Sequence, residues 1–137
     1  MSATTETLAG RTTASGLVRA FLAAMEARDL ALAQSMLHPD FTMIFPGNRR
    51  YRSLDELVQA SKGRYRSIGK RFERVDEAPS GADIAVYCFG TLFGEWPDGT
   101  PFQDIRFIDR FTVRGGKLFD QRVWNDMGEL IAARAAG

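Results

Sequence analysis

The chain holds one cysteine and one histidine in 137 residues. A lone thiol cannot close an internal disulfide. Cys88 lies inside an apolar run and reads as a small core residue rather than a nucleophile. No apolar run approaches the roughly 20 residues of a membrane span. The first residues, MSATTETLAGRTTASG, contain no apolar segment of the signal-peptide kind, so the cytoplasm is the expected location. An excess of one charge is also missing: 18 Lys and Arg face 17 Asp and Glu, for a net charge of +1. That balance predicts no general attraction to nucleic acid or to a membrane. There is no metal-ligand spacing, no Ser-His-Asp set, no phosphate loop and no dinucleotide fingerprint, so no metal or cofactor is expected.

What remains is an ordinary soluble composition, 45% hydrophobic and 26% charged, in a length that suits one domain. Residues 1–13 are rich in Thr and Ala without periodicity and read as a loose tail, leaving residues 14–137 as the domain. From Ser15, an expected cap, Leu17, Val18, Phe21, Leu22 and Met25 recur at helical spacing. Asp29 is placed to cap a second, short helix that ends before His38-Pro39. FTMIFP alternates as a strand and stops at Pro46-Gly47-Asn48. Ser53 and Glu56 have the spacing of a capping box for a third helix that frays near Gly63. Four strands follow, over about 68–78, 84–96, 102–113 and 117–126, and a terminal helix over 127–136. Helices first and hairpin-linked strands afterwards predict an α+β domain with a curved sheet folded over the helices.

The last hairpin carries the chemistry. Ile105, Phe107, Asp109, Phe111 and Val113 share one strand face, and a carboxylate on that oily face is costly unless it is paired or hydrogen-bonded. If Gly115-Gly116 is a two-residue loop, Arg114 pairs with Lys117. The register then sets Asp109 opposite Arg122, Phe107 opposite Trp124 and Ile105 opposite Asp126. Arg122 would hold Asp109 ionised, either as a structural ion pair or as part of a site. A bulged turn would shift that register by one and take Arg122 off the face. The outward positions Phe119, Val123, Ile108 and Met127 suggest a second apolar patch, expected to pack against another copy of the chain.

The order VRAFLAAMEARDLALAQSML, HPDFTMIFPG, YRSLDEL and FIDRFTVRGGKLFDQRVWND resembles the nuclear transport factor 2-like superfamily, in its SnoaL-like branch, over about residues 15–132. The resemblance implies a cone-shaped, curved mixed sheet around a pocket, commonly in homodimers. It also implies a range of activities, among them ketosteroid isomerases, limonene-type epoxide hydrolases, scytalone dehydratases, polyketide cyclases and non-catalytic modules. On that likeness an isomerase tyrosine falls on Phe21 and its general base on Phe45, neither of which can move a proton. The isomerases' neutral acid falls within about a residue of Asp109. Arg122 and Asp126 match the arginine and terminal acid of the epoxide hydrolases, although the partner Arg-x-Asp is missing. A dehydratase of the scytalone kind needs two histidines, and His38 stands alone in a turn.

The expectation is therefore a small hydrophobic ligand in the cone. Asp109, Arg122 and Asp126 are the candidate catalytic residues, and Phe21, Phe45, Tyr51, Phe107 and Trp124 the candidate lining. Acid/base isomerisation, dehydration or cyclisation comes first, with a non-catalytic ligand-binding or dimerisation module and an epoxide hydrolase-like activity as alternatives. Between Arg49 and Arg74, nine basic residues meet three acids. They read as a solvated surface, with an anionic ligand or RNA at the cone mouth as the other reading and nucleic acid not favoured. Trp96, in the GEWPDGTPF turn, is close enough to the strands to lean over the pocket.

Overall fold

Residues 13–136 are described by a computed structural model of the chain. Helix α1 (Ala14–Glu26) begins one residue earlier than the expected cap at Ser15. Thr13 caps it, its side chain accepting from the Gly16 N–H at 3.0 Å, while the Ser15 N–H donates to Glu77 at 2.8 Å. Apart from Thr13, the expected tail lies outside the described residues. Asp29 caps α2 (Leu30–Ser35) and Ser53 caps α3 (Leu54–Ser61) as the sequence predicts. The last helix, α4 (Met127–Ala136), follows the final strand directly. No helix among the described residues is long and apolar enough to cross a membrane.

The strands are β1 (Leu37–Phe45), β2 (Arg49–Tyr51), β3 (Ser67–Ser80), β4 (Asp83–Glu95), β5 (Pro101–Arg114) and β6 (Lys117–Asn125). β1 starts at Leu37, before the Pro39 that the sequence sets in a turn, and β2 is an addition to the expected elements. They form one mixed sheet in the order β2-β1-β6-β5-β4-β3, in which only β1 and β6 run parallel. α1 lies on the concave face. Its Phe21 ring meets Phe41 of β1 and Phe111 of β5 edge-on, with centroids 6.1 and 5.9 Å apart. That contact ties the two halves of a single core into one α+β domain.

Curvature comes from interruptions in the ladder. Register shifts fall in β3 between Phe72 and Arg74 and in β5 ahead of Ile105, where Asp104 has φ +63°. Gly90 lets β3 and β4 close on each other: a Cβ there would stand 1.9 Å from the Arg71 carbonyl oxygen and 2.9 Å from the Phe107 ring. A bare backbone at that inward position also leaves room over β4.

The third interruption decides the site. The Gly115-Gly116 turn pairs Arg114 with Lys117 as expected, but Val113 meets Leu118 while Thr112 meets Asp120. Phe119 is the extra residue, a β-bulge that moves every later residue of β6 by one position. Asp120 accepts from the Thr112 N–H at 3.1 Å, satisfying a backbone donor beside the irregularity. Beyond it Asp109 lies opposite Val123, Ile108 opposite Trp124 and Arg110 opposite Arg122.

Candidate functional site

A cavity of about 910 Å³ lies between the concave face of the sheet and helices α1, α3 and α4. This is at the upper end of the usual range for small-molecule sites. Its wall is mostly apolar: Phe21, Leu22, Phe45, Val58, Leu92 and Phe107 contribute, and Tyr51, Tyr65 and Gln121 bring polar groups. Phe45 and Tyr51 stack edge-to-face at 5.5 Å. Trp96 lines the cavity from the start of the β4–β5 connection, held between Phe102 and the Arg134 guanidinium.

Asp109 is the buried acid of this wall. It is 0% exposed, and β5 sets it on the same face as Phe107 and Phe111, as the alternation predicts. Its Oδ2 accepts from the ammonium of Lys70 on β3, two strands away. Its Oδ1 is also buried and has no hydrogen-bond partner among the described residues. Lys70 is half-buried, its Nζ 5.1 Å from the centre of the Phe107 ring, so an aromatic face and a carboxylate share its charge. Lys70 reaches across β4 where Gly90, between inward-facing Cys88 and Leu92, has no side chain in the way.

The electrostatics separate the acid from its ladder partner. Cys88 stands opposite Asp109, and burial pushes its thiol up to about 12, the Asp109 charge adding to the effect while Lys70 and Arg19 oppose it. A thiol in that state is protonated and no nucleophile. Cys88 is thus a core residue.

Four of the expected lining residues, Phe21, Phe45, Tyr51 and Phe107, do border the cavity with Asp109. The other three expected site residues do not. The bulge at Phe119 turns Arg122, Trp124 and Asp126 to the convex side and brings Gln121, Val123 and Asn125 inward. Arg122 is exposed beside Arg110, and Trp124 is 54% exposed. Asp126 accepts from the exposed Arg106 Nε at 2.6 Å. The expected Asp109–Arg122 pair is therefore replaced by Asp109–Lys70. The expected outer patch changes with it: Val123 and Met127 are buried against the cavity, and the outward apolar row is Phe89, Ile108 and Trp124.

Lys70 was legible in one respect. In β3 it alternates with Ile68 and Phe72, a cation on the apolar face of its strand, and all three line the cavity. Counted instead as one of nine basic residues, it reads as surface charge. His38 stays outside the cavity, its Nδ1 accepting from the Asp40 N–H at 3.0 Å and its ring edge-on to Phe119.

Solved structures share this architecture. An NTF2-like protein of unknown function from Burkholderia pseudomallei K96243 is 19% identical, with 84% of this chain and 92% of that one covered at a TM-score of 0.67. TerC, co-crystallised with polyporic acid, is 18% identical over 84% and 92%, TM-score 0.66. A protein from Jannaschia sp. CCS1, described as SnoaL-like and a candidate polyketide cyclase, is 18% identical over 88% and 90%, TM-score 0.65. At such identities the likeness concerns the fold. No curated protein matches the sequence. The family profile described as SnoaL-like domain matches residues 18–121, most of the chain, and with the NTF2-like cone around its cavity this protein belongs to the SnoaL-like family.

Proposed function

We propose that this protein binds a small, largely apolar molecule in the cone and moves a proton on it, with Asp109 as the proton acceptor or donor. The observation that carries the reading is the unpartnered Oδ1 of a fully buried carboxylate in the wall of an apolar cavity. Such an atom is costly to leave without a donor, and a bound ligand supplies one. Take a substrate with a C–H beside a carbonyl. Oδ1 takes the proton, the C–H electron pair moves into the carbonyl, and the resulting oxyanion meets the positive charge of Lys70. The pair starts neutral overall, so the carboxyl becomes neutral as the substrate becomes negative, and Lys70 then balances the substrate. Return of the proton to another atom completes an isomerisation; attack of the enolate carbon on a second carbonyl of the same substrate, with the proton passing from Asp109 to the new alkoxide, closes a cyclisation. Loss of hydroxide with that proton gives a dehydration.

Phe21, Phe45, Tyr51 and Phe107 hold the substrate body in this reading, and the likeness to TerC, co-crystallised with polyporic acid, supports a small-molecule site. Arg122 and Asp126 take no part. The epoxide hydrolase reading rested on those two residues and loses its support with them. A second reading, non-catalytic ligand binding, is favoured by Phe21 and Phe45 standing where an isomerase would have a tyrosine and a base. The convex row Phe89, Ile108 and Trp124 supports a homodimer through the outer sheet face. Sedimentation of a Trp124→Arg variant as a monomer beside a wild-type dimer bears that out, and equal sedimentation removes it.

The catalytic reading is tested by hydrogen exchange. Small aryl ketones that raise the melting temperature are incubated with the protein in heavy water, and deuterium uptake beside the carbonyl is followed by NMR. Exchange that falls by about 10² or more in Asp109→Asn is expected, the range for loss of a general base. Exchange unchanged in Asp109→Asn removes Asp109 as the catalyst. Ligands that bind and never exchange leave the binding module.

A further inference from the structure

We infer that the ligand of this cavity is anionic, an apolar body ending in a carboxylate, sulfonate or similar group held by Arg49 and Arg64. The inference rests on the cavity reading above and names the class of molecule that fits it. Among the described residues two acids line the cavity: Asp109, engaged by Lys70, and Glu26. Against them stand the guanidinium groups of Arg19, Arg28, Arg49 and Arg64, none of which forms an ion pair among the described residues. Arg134, a fifth, is taken by Asp98.

Surface arginines often lack partners, and Arg19 and Arg28 are exposed. Arg49 and Arg64 are half-buried, and for them the lack of a counter-ion is informative, since a partly dehydrated cation without an anion forgoes a favourable interaction. Arg49 shares its strand face with Tyr51, two residues on, which points both toward the cavity. The Pro46 carbonyl accepts from its Nε at 3.1 Å, which orients the guanidinium and leaves the terminal nitrogens free for an anion. The remaining wall is mostly aromatic and aliphatic, so affinity comes from the apolar body and selectivity from the charge.

The test is a pair of fluorescent probes with one skeleton, anilinonaphthalene sulfonate and uncharged N-phenylnaphthylamine. Energy transfer from Trp96, in a Trp124→Phe background, is greatest for a probe seated in the cavity, because Trp96 lines it and Trp124 does not. The sulfonate is expected to bind about tenfold tighter or more than the neutral probe. Arg49→Gln with Arg64→Gln is expected to abolish that advantage and leave the neutral probe's affinity unchanged, which shows the doubly substituted protein still folded. Equal binding of the two probes to the wild type overturns the inference while the cavity reading stands, as does an advantage that survives both substitutions. Absence of transfer from Trp96 to either probe overturns the cavity reading and this inference together.

Discussion

Asp109 lies in β5 and Asp126 directly after β6, and each holds a cation. Lys70 and Asp109 have side chains 25% and 0% exposed, whereas Arg106 and Asp126 are 83% and 42% exposed. The charges are alike and the surroundings are not. Water solvates both members of the outer pair, so either can leave the other without much loss. Inside the cone Asp109 has given up its hydration and depends on Lys70, and its second oxygen still lacks a partner. A buried ion pair of this sort is weak evidence for stability and better evidence for a site.

Breaking the inner pair is the largest change the comparison predicts. Lys70→Met leaves the Asp109 carboxylate buried and unpaired, and should lower unfolding stability by about 3–5 kcal/mol, read from the urea midpoint. Thiol labelling offers a second readout. Cys88, protonated and buried in the native protein, should react only as the chain opens, and so faster in Lys70→Met than in wild type.

Filling the gap that Lys70 crosses comes next. Gly90→Val sets side-chain atoms against the Arg71 carbonyl and the Phe107 ring, and a loss of roughly 1–3 kcal/mol is expected from overpacking. If Gly90 only shaped the strand, ligand affinity would survive once the variant is folded. On the present account it falls, because the Lys70 ammonium is displaced from Asp109.

The outer pair supplies the contrast. Arg106→Gln should leave the urea midpoint within the scatter of repeated measurements and leave ligand binding unchanged. A shift as large as that of Lys70→Met would erase the distinction between the two faces. The smallest expected effect depends on pH. Two hydrogen bonds from Arg114, at 3.1 and 2.9 Å, hold the Asp83 carboxyl below its usual value of 3.8. A depressed carboxylate contributes its stability above the unfolded value and loses it as pH falls through the folded one. The small advantage of wild type over Arg114→Gln should therefore be full above about pH 4 and shrink below it, as denaturation at a series of pH values can show.

How much of this the chain announces depends on whether the cause is local. The Gly115-Gly116 turn, the caps at Asp29 and Ser53, the inward face of β5 and the final helix are set by neighbours in sequence, and all were legible. The bulge at Phe119 was not. It answers to β1, which runs parallel to β6 with its own register shift between Leu37 and Thr42, and to Asp120, which satisfies a freed N–H. β1 lies outside the hairpin that the pattern describes, and the Asp120 contact is a side-chain bond that strand alternation does not foretell. One extra residue was enough to move Arg122, Trp124 and Asp126 out of the cone, since side chains alternate with a period of two. Lys70 shows the opposite case: its alternation with Ile68 and Phe72 was visible, but its meeting with Asp109 needs the curvature that brings β3 over β5. The fold was thus largely readable, and of the cavity the acid and four of the five expected lining aromatics were, while Trp124 and the acid's partner were not.

The most direct measurement is a double-mutant cycle on the inner pair. Lys70→Met, Asp109→Leu and the double variant are unfolded in urea beside the wild type. Each single change strands a charge in or beside the cavity and should destabilise strongly, whereas the double replacement should recover much of that loss, giving a coupling of roughly 3 kcal/mol at the upper end for interacting residues. Effects that simply add would mean that Lys70 and Asp109 do not meet, and would contradict the account.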